Sequence, residues 1–123
     1  MPHSQRPRAH ATSPAAISRP ASVYTTRPAP RTPPRAIVIA ASTGGPQALG
    51  ALLHGLAGHI EQTPVFVVLH MPADFHDIVA QHVARQTGLE THVAANGEAV
   101  RPGRVFFAPG GMHLRLSKSP EGV

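Results

Sequence analysis

Two residues of this chain carry the means for nucleophilic chemistry, Ser42 and His70. Ser42 follows the apolar run Ala36-Ile37-Val38-Ile39-Ala40-Ala41 and precedes Thr43-Gly44-Gly45-Pro46. This pattern reads as a buried strand, a tight turn with the hydroxyl at its tip, and a helix starting near Pro46. His70 closes a second apolar run, Pro64-Val65-Phe66-Val67-Val68-Leu69. A serine beside a histidine is the nucleophile and general base pair of acyl transfer. Gly44 and Gly45 let backbone and ligand approach closely. Free N–H groups of the turn and helix start favour negative charge, as an oxyanion requires. Two other readings stand beside this one. Most serines in such turns are caps or loop residues. A phosphate-binding turn is a further alternative, but Gly44-Gly45-Pro46 lacks the G-x-G-x-x-G spacing and no P-loop lysine follows.

The elements that must position these residues follow from periodicity. Ile37–Ala41 is so continuously apolar that it predicts a central strand covered on both faces. From Pro46 to about Ala57, Leu49, Leu52, Leu53 and Leu56 recur as one buried helical stripe, and Gly58 can end it. Pro64–Leu69 is the second strand. Strand, helix and strand make a βαβ unit, for which parallel strands and a right-handed crossover are the rule. Ser42 and His70 are thereby brought to neighbouring positions at the carboxyl edge, where open α/β sheets bind ligands. Met71-Pro72-Ala73-Asp74 predicts a turn, with Asp74 capping the next helix and Asp77 in its first turn. That helix runs from Phe75 to about Gln86, with Phe75, Ile78, Val79, His82, Val83 and Gln86 on one face, and Gly88 ends it. His76 and His82 share no face and the other histidines lack ligand spacing, so no metal site is expected. Thr91–Ala95 is a short strand, and Asn96-Gly97 and Arg101-Pro102-Gly103 are turns. Val105–Ala108 is a third apolar strand. After Pro109-Gly110-Gly111, Met112, Leu114 and Leu116 alternate with polar residues, which predicts a terminal β-hairpin. The expected fold is α/β, a parallel, Rossmann-like, doubly wound sheet that is incomplete, with a terminal hairpin and a disordered N-terminal tail.

Composition bounds the rest. At 123 residues there is room for one small domain. Residues 1–35 hold six arginines, no acid and eight of the fourteen prolines, so the excess positive charge belongs to them. Such a stretch cannot bury enough apolar surface to offset the entropy of ordering it, which predicts an extended, disordered segment. It lacks the apolar core of a secretory signal, and it could touch nucleic acid or acidic lipid through charge alone. Cysteine is absent, which excludes disulfides and thiolate metal sites. No run approaches the roughly 20 apolar residues that span a membrane, and no membrane insertion is expected.

Four blocks occurring in order carry a resemblance: Ala41-Ser42-Thr43-Gly44-Gly45-Pro46, His70-Met71-Pro72 with Phe75, Arg101-Pro102-Gly103, and Ala108-Pro109-Gly110 with His113. Together they resemble the catalytic domain of bacterial chemotaxis protein-glutamate methylesterase/deamidases of the CheB type, over most of residues 36–116. The resemblance implies a cytoplasmic serine hydrolase without a cofactor. It would hydrolyse γ-glutamyl methyl esters on methylated chemoreceptor helices and deamidate receptor glutamines. Ser42 would be the nucleophile, His70 the general base, and Thr43, with Gly44 and Gly45, would organise the site. A separate receiver domain or phosphorelay protein is an implied partner; specific nucleic-acid recognition is not.

Three departures from the family pattern shape the expectations. The family's triad aspartate lies beyond His113, in a Gly-rich segment near the domain's end, and none of Glu61, Asp74, Asp77, Glu90, Glu98 or Glu121 matches it. A Pro/Arg-rich tail, residues 1–35, stands where the family often has a receiver domain. The family's Gln-His-Met-Pro is Leu69-His70-Met71-Pro72 here, and its Phe-Thr and Arg-Leu pairs are Phe75-His76 and His82-Val83. Loss of an orienting aspartate costs on the order of 10⁴ in turnover, so weak or undetectable activity is expected. An open sheet edge and exposed apolar faces are also expected. The alternative functions are a non-catalytic fragment binding receptor helices or a partner, and an anionic-surface binder driven by the tail.

Overall fold

A computed structural model of the chain describes residues 25–119. The chain divides into two units, residues 1–31 and 32–123. In the first, the described residues 25–31 are exposed and form no helix or strand. The expectation of a disordered tail falls mainly on residues 1–24, outside the described residues.

The second unit holds every regular element found among the described residues. These are β1 (Ile37–Ala41), α1 (Gly45–Leu56), β2 (Val65–Leu69), a 3₁₀ turn (Ala73–Phe75), α2 (His76–Thr87), β3 (Thr91–Val93) and β4 (Val105–Phe107). All pairings are parallel, in the order β1-β2-β4-β3. Pro46 opens α1 with its preset φ. Gly88, at φ +72°, ends α2 in the left-handed conformation, its N–H donating to Ala84 C=O.

Because side chains alternate across a strand, the odd-numbered residues of β1 to β4 share one face. On that face Val65, Val67, Leu69, Val105 and Phe107 are buried, with Ile37, Ile39, Ala41 and Val93 packed alongside. Both helices cover it, through Leu49 and Leu53 of α1 and Val79, Ala80 and Val83 of α2. The even-numbered face carries Val38, Phe66, Val68, His92 and Phe106. Phe66 and Phe106 stack there with centroids 5.5 Å apart, and the His92 ring meets Phe106 edge-on at 5.2 Å. A second helical layer, as a doubly wound sheet has, is not among the described residues.

Four expectations are corrected. Among the described residues β1 is an edge strand, with Val38 71% exposed and Ala40 exposed. Continuous apolarity reports side-chain type and does not say whether a neighbour lies across the face. The terminal hairpin does not form: residues 113–119 have no regular structure. β4 is flanked by β2 on one side and β3 on the other, so it has no free edge for a returning strand. The inward face of α2 is His76, Val79, Ala80 and Val83, while Phe75, Ile78 and His82 are exposed. A polar His76 was an unexpected core member, and a hydrogen bond from its ring to Leu69 C=O makes burial tolerable. Asp74 lies within the 3₁₀ turn, and α2 starts after Phe75 with no side-chain cap hydrogen bond.

Candidate active site

The β1–β2 register runs from Ile37 opposite Val65 to Ala41 opposite Leu69. Continued by one residue, it sets Ser42 abreast of His70, and the His70 N–H donates to Ala41 C=O at 2.9 Å. Both residues are exposed at the carboxyl edge of the sheet. They reach that edge because β1 and β2 are parallel and of equal length.

The turn after Ser42 is closed by the Gly45 N–H, which donates to Ser42 C=O at 2.8 Å. Gly44 takes φ +77°, a conformation that a side chain would strain. Gly45 is tight for another reason: a Cβ there would lie 2.7 Å from the Ala41 Cβ. The N–H groups of Thr43 and Gly44 have no backbone acceptor among the described residues. The Gly45 N–H, by contrast, is already engaged. Pro46 adds no donor.

No carboxylate is hydrogen-bonded to His70 among the described residues. A His–carboxylate pair exists elsewhere, between the Nε2 of His92 on β3 and Oε1 of Glu98. Glu98 Oε2 also accepts from the Ala95 N–H at 2.9 Å. That backbone donor, with His92 and Arg104, holds the Glu98 carboxyl below the usual carboxylate range, against the opposing effect of desolvation. The pair escaped sequence reading because it forms across the turn at Gly97, φ +78°, six residues apart with no helical spacing. A hollow of about 920 Å³ lies nearby, lined by residues including Phe66, Phe106, Glu98, His113 and Arg115; neither Ser42 nor His70 lines it. Among the described residues no group of three or more His, Cys, Asp or Glu is placed to hold a metal ion, and no helix is long and apolar enough to cross a membrane.

Comparison with known proteins gives this geometry a context. The family model for CheB methylesterase matches residues 37–122. A protein-glutamate methylesterase/protein-glutamine glutaminase of Bradyrhizobium diazoefficiens is 42% identical over 118 residues, covering 96% of this chain and 28% of that protein. One of Nitrobacter hamburgensis is 43% identical over 90 residues, covering 73% of this chain and 24% of its own. The solved CheB methylesterase catalytic domain of Thermotoga maritima superposes with a TM-score of 0.65 at 35% identity, covering 72% of this chain and 47% of that one. The chain thus spans about a quarter of the length of these curated relatives and about half of the solved domain. A family match across every strand and helix of the fold, joined to relatives at this identity, shows that the chain belongs to the CheB methylesterase family.

Proposed function

We propose that this chain carries the nucleophile and general base of a protein-glutamate methylesterase that acts on glutamyl methyl esters of chemoreceptor helices, with glutamine deamidation as the related reaction. The observation that carries this reading is the β1–β2 register, which sets Ser42 and His70 side by side at the carboxyl edge. In the proposed reaction His70 takes the Ser42 proton as Oγ attacks the ester carbonyl. The tetrahedral oxyanion accepts hydrogen bonds from the Thr43 and Gly44 N–H groups. Collapse breaks the ester C–O bond, and the proton passes from His70 to the departing methoxide, giving methanol. Water, deprotonated by His70, then attacks the glutamyl ester and restores the serine. A glutamine side chain would follow the same course with ammonia as the leaving group.

A second reading is favoured by one observation. Among the described residues no carboxylate orients the His70 imidazole, which leaves its tautomer and rotation unset from that side. On this reading the same edge binds receptor helices or a partner without hydrolysis. The test is methanol release from methylated chemoreceptor membranes, comparing the chain with its Ser42→Ala form. Release abolished by the substitution supports the esterase. No release from a folded chain that still binds the membranes through this edge supports the binding module.

A further inference from the structure

The hydrogen-bond ladder between β2 and β4 ends in an unusual way. Odd-numbered residues of β2 direct their backbone groups toward β4: the Val65 N–H donates to Arg104 C=O at 2.9 Å, and Val67 C=O accepts from the Ala108 N–H at 2.8 Å. Even-numbered positions face β1, where Pro64 C=O accepts from the Ile37 N–H at 3.0 Å and the His70 N–H donates to Ala41 C=O. By this alternation the next carbonyl toward β4 is that of Leu69. No β4 backbone reaches it, because the chain turns away at Pro109-Gly110. The His76 side chain takes the position instead, with Nε2 at 3.0 Å from the Leu69 oxygen.

On its other side the ring is packed and not hydrogen-bonded, since a neutral imidazole with its proton on Nε2 has no donor at Nδ1. Nδ1 lies 3.2 Å from Ala73 C=O, and the residue is 3% exposed. Gly110 closes over it: a Cβ at that position would fall 2.9 Å from Nδ1 and 2.4 Å from the Ala73 Cα. One imidazole therefore bonds the end of β2 through Nε2 and packs against the 3₁₀ turn and the turn after β4. Leu69 C=O and the His70 N–H belong to the same planar peptide. Its carbonyl end is held by His76 and its amide end by Ala41, so the unit that carries the His70 side chain is clamped from both neighbouring strands' positions.

We propose that His76 is a positioning residue for His70: its Nε2–H replaces the missing ladder donor and fixes the Leu69–His70 peptide, and with it the direction from which the His70 imidazole approaches Ser42. The assignment rests on the reading of His70 as the general base. It also names a source of order for His70 on a chain whose described residues place no carboxylate on its ring.

The test uses the full chain, its His76→Phe form, which keeps a buried ring without the donor, and its His76→Gln form, which can return an N–H to Leu69. Backbone amide exchange is measured by NMR. Loss of one hydrogen bond with local opening is expected to speed exchange at His70 by up to about tenfold in His76→Phe. The Val67 and Val105 amides should stay unchanged, and His76→Gln should recover the His70 protection. Unchanged exchange at His70, or acceleration of all slow amides together, overturns the proposal. A second measurement does not depend on any variant folding. Long-range ¹H–¹⁵N spectra of the wild-type imidazoles should find the His76 proton on Nε2; an unprotonated Nε2 overturns the proposal. Fluorophosphonate labelling of Ser42 separates this idea from the one it rests on. Without labelling in the wild-type chain, the base reading and the role of His76 fall together, although the clamp itself can still be seen in the exchange data. Labelling at equal rates in wild type and His76→Phe leaves the base reading intact and overturns positioning by His76.

Discussion

Ser42 has no side-chain hydrogen bond among the described residues, and neither has His70, so the proposed chemistry depends on what their backbones impose. Ser42 is set by the Gly45 N–H closing the turn behind it, and His70 by its N–H donating to Ala41. Glu98 shows a carboxylate with the opposite status, engaged twice and stabilised in its charged form. Its pKa is lowered first by the Ala95 N–H and then by His92, so the stability it contributes is present above the ordinary glutamate range. That contribution is lost as pH falls through the depressed value. Glu98→Gln is accordingly expected to cost about 1 kcal/mol at neutral pH, a hydrogen bond's worth at a partly exposed site. The difference from wild type should shrink toward zero in acid. Urea unfolding at pH 7 and pH 3 measures both.

Helices α1 and α2 are where periodicity and packing part company. The leucine stripe of α1 was legible, yet its members are not equivalent. Leu53 is fully buried against the sheet and Leu49 is nearly so, while Leu52 is 47% exposed. Gly50 is buried beside them because α2 passes close by, its Gln86 side chain reaching within 2.4 Å of where a Cβ would be. Leu53→Ala should therefore cost about 2–5 kcal/mol, as large-to-small changes in a packed core do. That is a large share of the stability of so small a domain. Leu52→Ala should change stability by less than about 1 kcal/mol, since little of its surface leaves water on folding. Thermal melts of the two variants distinguish a stripe of four equal leucines from the asymmetric one seen here.

The sheet as a whole is asymmetric. Among the described residues two helices cover its odd-numbered face, and the even-numbered face is open over Val38 and Val68, which are 71% and 43% exposed. β1 lies at one edge, with an apolar sequence and no charged residue within the strand. Such an edge is a template for pairing with another chain. Val38→Lys is expected to leave the melting temperature nearly unchanged while lowering concentration-dependent association. Light scattering and sedimentation velocity over a tenfold or so range of concentration provide the check. An unaltered association profile would place the contact elsewhere than β1.

Local sequence was enough to place the strand at 37–41, the second strand and both helices within a residue or two, and the glycine that ends α2, because each depends on side-chain periodicity or on a φ that only glycine adopts freely. The juxtaposition of Ser42 and His70 was legible for a related reason. A βαβ unit forces parallel strands, and parallel strands put their ends at one edge. What the linear order could not contain was the neighbour across each face and edge. Strand order β1-β2-β4-β3 made β1 an edge and gave β4 two partners, which removed the place a hairpin would need. The Glu98–His92 pair and the burial of His76 depend likewise on groups meeting through the fold. A polar ring enters the core only where a carbonyl waits to accept its hydrogen bond. The carbonyl of Leu69 waits there because the chain leaves β4 one rung too soon.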